Sequence, residues 1–147
     1  MPTLRLPAIM ESFEIFRSFV FQQMERDGAA LLSAEVDLAL EEILVNAIHY
    51  AYPEGRGEIE IECRAEGPGR FYLAVTDWGT PFNPLEQPPP DLSTDISERA
   101  VGGLGIYLVK DMAARLDYEY RDGRNIVMLW FAKREQADGN HSLLDRD

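Results

Sequence analysis

With 147 residues, 46% of them hydrophobic, the chain is the size of one ordinary domain and can bury roughly 70% of its unfolded surface without a disulfide or metal. Its formal net charge of −12 and single cysteine exclude a structural zinc site and argue against a nucleic-acid partner, because phosphate binding needs clusters of Lys and Arg. No window approaches the roughly 18 apolar residues of a membrane span, and Met1 to Pro7 lacks the apolar stretch of a secretory signal, so a cytoplasmic protein with no membrane partner is expected.

Thr3 to Leu6 alternates enough for a short strand ended by Pro7. Ile9, Phe13, Phe16, Val20 and Met24 then recur at helical steps and predict an amphipathic helix from about Met10 to Arg26, closed by Asp27-Gly28. Ser33, with Glu35 two residues on, reads as the N-cap of a second helix that runs through Leu38 to Tyr50 and stops near Tyr52-Pro53-Glu54-Gly55. From Gly57 the period becomes two: Ile59, Ile61 and Cys63 alternate with Glu58, Glu60, Glu62 and Arg64, a strand with one wet face in which Cys63 is a core thiol. A turn at Glu66-Gly67-Pro68-Gly69 leads to the returning strand Phe71, Leu73, Val75, which runs into Asp77.

Residues 80–101 hold five prolines and little periodicity, and read either as a lid or as a surface loop. A third helix follows Gly103-Leu104-Gly105, with Ile106, Val109, Met112, Ala113 and Leu116 facing inward. Asp117 to Arg121, Asp122-Gly123 and Arg124 to Lys133 form a hairpin on a two-residue turn. Val127 to Phe131 is apolar throughout, which predicts a central strand covered on both faces. The order specifies an α+β fold: one domain over residues 1–133, an antiparallel or mixed sheet of about five strands covered on one face by three helices, then a polar tail over 134–147.

Polar residues interrupt these structural segments at three places. On the second helix, Glu42, Asn46 and His49 share a strip about 60° wide at 100° per residue. A carboxylate and an amide so placed must face water, pair, or serve a ligand. Asn46 suits magnesium, which takes hard oxygen ligands, and Glu42 one turn away is placed to accept a proton from an attacking hydroxyl. Asp77, at a strand end and followed by Trp78-Gly79-Thr80-Pro81-Phe82, can accept a hydrogen bond from an exocyclic amine such as that of adenine, and Gly79 would let the backbone approach a flat ring. Gly103-Leu104-Gly105 opens a helix, where free N–H groups favour phosphate. Each feature alone is ordinary, since Glu-x-x-x-Asn is commonly a solvated face and Asp-x-Gly a turn. Together, in this order and each at an element end or on one strip, they describe a magnesium–nucleotide site.

These residues, Glu42-x-x-x-Asn46, Asp77-x-Gly79-x-x-Phe82 and Gly103-x-Gly105, resemble the N, G1 and G2 boxes of the GHKL ATPase superfamily with its Bergerat fold. Ala47-Ile48-His49-Tyr50-Ala51-Tyr52-Pro53 and Gly102 to Val109 look most like the anti-sigma factor serine/threonine kinases of bacterial partner switching. The resemblance implies ATP or ADP and Mg²⁺ as cofactors, with Asn46 coordinating magnesium and Glu42 as general base. It further implies Asp77 on adenine, Gly79 and Phe82 shaping its pocket, and Gly103, Leu104 and Gly105 at the phosphates. It also implies a homodimer that phosphorylates an anti-sigma factor antagonist and holds a sigma factor. The alternative is a non-catalytic switch module that regulates a partner such as a serine phosphatase. Many such kinases carry histidine four residues after the magnesium asparagine. Here that position is Tyr50, so His49 reads as a pocket-edge or buried histidine. Where the superfamily often has threonine near adenine this chain offers Arg124-Asn125, and Arg99 reads as a solvated residue of the lid.

Overall fold

In the computed structural model, which describes residues 1–67, 69–86 and 103–133, strand alternation builds a single five-stranded sheet. The strands are β1 (Thr3–Pro7), β2 (Glu58–Ala65), β3 (Arg70–Asp77), β4 (Arg115–Arg121) and β5 (Arg124–Ala132), in the order β1-β2-β3-β5-β4. Every neighbouring pair is antiparallel. The inward residues Ile59, Ile61, Cys63, Phe71, Leu73, Val75, Leu129 and Phe131 are buried, whereas the glutamates of β2 lie on the other face. Burial pushes the Cys63 thiol up to about 12, as suits a core thiol.

Helices α1 (Phe13–Asp27), α2 (Ser33–Tyr50) and α3 (Gly103–Met112) contribute Phe16, Val20, Leu40, Leu44, Ile106 and Val109 to that same core. Alternating strands and periodic helices thus each bury one face, a two-layer α+β sandwich. The Asp122-Gly123 turn joining β4 to β5 has φ of 55° and 75°, the left-handed pair that matches the twist of a two-residue hairpin. No helix of the described residues is long and apolar enough to cross a membrane.

Four local expectations differ from the structure. The first helix starts at Phe13, because Met10–Ser12 wind a 3₁₀ turn and leave Ile9 exposed. Ser33 is not an accepting cap: its Oγ donates to the Ala30 carbonyl at 2.7 Å, since Ala30–Leu32 already curl into α2. The third helix ends at Met112, and Leu116 instead pairs with Leu129 in β4. β5 is paired on both edges, yet among the described residues helices cover only one of its faces; on the other, Ile126, Met128 and Trp130 are half-buried. Tyr72 and the Arg115 guanidinium pack on Trp130 there, so side chains of the sheet shelter one another in place of a second helical layer. The tail over 134–147, the lid beyond Glu86 and Arg99 lie outside the described residues.

Candidate functional site

One turn of α2 sets Glu42 beside Asn46. Asn46 is 3% exposed, and both its amide atoms are buried without a hydrogen-bond partner among the described residues; so is Oε2 of half-buried Glu42. An unsatisfied buried polar group costs about 1–3 kcal/mol, so the three such atoms of Glu42 and Asn46 are apt for a ligand; Glu35 Oε1, two turns up α2, is a fourth. Burial, reinforced by Glu41, raises the Glu42 carboxyl above the usual carboxylate range. His49 takes no part: it is exposed rather than buried, and its Nδ1–H donates back to Val45 O at 2.9 Å on its own helix.

Opposite α2 stands the end of β3. Asp77 is 8% exposed, and its Oδ1 accepts hydrogen bonds from Gly79 N–H at 2.9 Å and Asn125 Nδ2–H at 2.8 Å. Burial raises its pKa, against the pull of those two donors. Asn125 sits directly across from Asp77 in the β3–β5 register and is 3% exposed. Its Nδ2 also donates to Thr80 O at 2.9 Å, and its Oδ1 accepts from Phe82 N–H at 3.0 Å and from the Tyr118 hydroxyl.

Protein packing by itself requires Gly79. A Cβ there would lie 1.9 Å from the carbonyl oxygen of Ala51, which caps α2, and Thr80 N–H donates to that same oxygen at 2.9 Å. Phe82 folds back to stack on Tyr50, ring centroids 5.3 Å apart. Phe82 and Pro84 thereby join Asn46, Asp77 and Asn125 around a cavity of only about 20 Å³, room for about one water.

Asn46, Asp77 and Phe82 therefore meet at one cavity, with Glu42 a helical turn away on α2. Gly103, Leu104 and Gly105 form the start of α3, which packs on α2. Lys110 of α3 reaches across to the carbonyl of Leu85. Among the described residues no group of three or more His, Cys, Asp or Glu could hold a metal ion. The charge around a magnesium ion would then come from phosphates, with Asn46 Oδ1 as a fitting neutral ligand. Sequence reasoning placed Asn125 only by resemblance, where the superfamily often has a threonine near adenine, without a bonding role, and it passed over the hydroxyls of Tyr118 and Tyr52. Tyr52 ties two strands together by donating to Glu58 O at 2.6 Å and accepting from Trp78 N–H at 2.8 Å. One signal for Asn125 was available: it is the polar member of the inward alternation Asn125, Val127, Leu129, Phe131.

A family profile described as Histidine kinase-like ATPase domain matches residues 7–131 of this chain. The chain is 29% identical over 144 residues to the serine-protein kinase RsbW of Bacillus thuringiensis (strain Al Hakam), spanning 93% of this chain and 89% of that protein. To RsbW of Bacillus mycoides (strain KBAB4) it is 28% identical over the same length and shares. Its fold is similar to the crystal structure of the RsbU and RsbW domains of Rv1364c from Mycobacterium tuberculosis, with a TM-score of 0.58 and 17% identity over 90% of this chain. The chain spans about a third of that longer polypeptide, 32% of its length.

Proposed function

This chain belongs to the histidine kinase-like ATPase family, and on that premise we propose that it is an ATP-dependent protein serine/threonine kinase. It acts as an anti-sigma factor that phosphorylates a small anti-sigma factor antagonist. Similarity to proteins named serine-protein kinase over nearly the whole chain supports this reading. The observation that carries the site is Asn46, whose amide is buried and unpartnered among the described residues while it faces the cavity of Asp77.

In this reading Asp77 receives the exocyclic amine of adenine, Asn46 gives one neutral oxygen to magnesium, and the N–H groups at the start of α3 meet the phosphates. When bound, Mg·ATP supplies the phosphoryl group and neutralises the charge that builds on its oxygens. Glu42 takes the proton of the attacking serine or threonine hydroxyl, and its raised pKa brings it nearer the working pH of a general base. Phe82 and Pro84 line the cavity of about 20 Å³ beside Asn46 and Asp77, so they are the side chains that would shift to widen it for a purine. Gly79 keeps the turn after β3 docked on α2, which holds Asp77 in place. A homodimer that also holds a sigma factor completes the proposal.

Incubation with γ-labelled ATP, Mg²⁺ and candidate antagonist proteins tests it. Label should pass to a serine or threonine of the antagonist with the wild-type chain and not with Glu42→Ala. Nucleotide binding without transfer to any antagonist would instead favour a non-catalytic switch module, and no ATP-dependent thermal shift would overturn the nucleotide site itself.

A further inference from the structure

The Asn125 amide is fully used. Its two N–H groups go to Asp77 Oδ1 at 2.8 Å and Thr80 O at 2.9 Å, and its oxygen accepts from Phe82 N–H at 3.0 Å and the Tyr118 hydroxyl. Turning the amide over would set oxygen against the Asp77 carboxylate and the Thr80 carbonyl and N–H against Phe82 N–H, losing three of the four bonds while the Tyr118 hydroxyl alone could turn to accept, so its orientation is fixed. Gly79 N–H supplies the second bond to Asp77 Oδ1, while Oδ2 makes no hydrogen bond among the described residues.

We propose that Asn125 is a positioning residue: by holding Asp77 Oδ1 it presents Oδ2 alone to the base, and so sets a preference for a purine that carries a 6-amino group. The proposal rests on the nucleotide reading given above. Asn125 acts through Asp77 and through the turn from Gly79 to Phe82, binding carboxylate and turn into one unit across the β3–β5 register. Threonine has a single hydroxyl proton, so it can serve either the carboxylate or the Thr80 carbonyl but not both.

Dissociation constants for Mg·ATP and Mg·ITP, which has an oxo group in place of the 6-amine, separate this role from mere support of the fold. The wild-type chain should prefer ATP. In Asn125→Ala that preference should shrink about tenfold or more, the worth of a well-aimed hydrogen bond to a charged group, while ITP affinity changes by less than about threefold. Asn125→Thr should fall between the two, and it carries the comparison if Asn125→Ala lacks a cooperative melting transition. Equal weakening of both nucleotides, an unchanged ratio, or no preference in the wild-type chain would each overturn the proposal. A wild-type chain that binds neither nucleotide would overturn the nucleotide reading instead.

Discussion

Asn46, Glu42 and Asp77 each hold polar atoms where water is largely excluded, and this makes their proposed roles separable. Glu42→Ala should keep ATP binding and lower phosphotransfer about a hundredfold or more, as expected for loss of a general base, measured by label transfer beside an ATP titration. Asp77→Asn should abolish ATP binding, because the amide offers an N–H where the base needs an acceptor; calorimetric titration checks it. Both carboxyls also make stability depend on pH. Burial, with Glu41 adding, raises Glu42, and burial raises Asp77 against its bonds from Asn125 and Gly79. The native state therefore holds these protons more tightly than the unfolded chain. Their contribution is fully present below the ordinary carboxylate range and is lost as pH rises through the raised native values. Glu42→Gln should accordingly melt higher than wild type at neutral pH, with the gap closing below about pH 4, seen in thermal scans at the two pH values.

Two glycines at element ends differ in what they do, and substitution can tell them apart. Gly79 joins the end of β3 to the C-terminus of α2, where a Cβ would meet the Ala51 carbonyl at 1.9 Å. Backbone on both sides must shift, so Gly79→Ala should cost about 3 kcal/mol in urea melts and weaken ATP binding as Asp77 moves with its turn. Gly123, with φ of 75° and nothing within 4 Å of an added Cβ, needs only its left-handed backbone. Gly123→Ala should cost about 1 kcal/mol and leave nucleotide affinity unchanged. Legibility followed the same division: Asp-Gly announces a hairpin by itself, whereas nothing within Asp77-Trp78-Gly79 indicates that Ala51 is the neighbour.

Across the whole molecule, helices on one face of an antiparallel sheet bring the polar strip of α2 over the ends of β3 and β5. Mg·ATP at about a hundred times its dissociation constant should stabilise the native chain by about 2.7 kcal/mol, and not at all in Asp77→Asn; thermal scans with and without nucleotide measure it.

The amino-acid sequence by itself determined the element order, the two-layer class and the grouping of Glu42 with Asn46. Periods of two and 3.6 are consequences of local backbone geometry, so a strand edge or a helix strip can be read from neighbours in the chain. Helix ends were read less well, as at Met10 and Ser33, because 3₁₀ turns and caps depend on a few hydrogen bonds that many sequences could make. Only the tertiary structure decided that Asn125 lies opposite Asp77, that Gly79 abuts Ala51, that His49 bonds its own helix, and that Phe82 stacks on Tyr50 beside the cavity. Those pairings join residues remote in the chain or depend on which rotamer the packed surroundings leave open. They follow from which side chains together fill one core, and no local pattern encodes that.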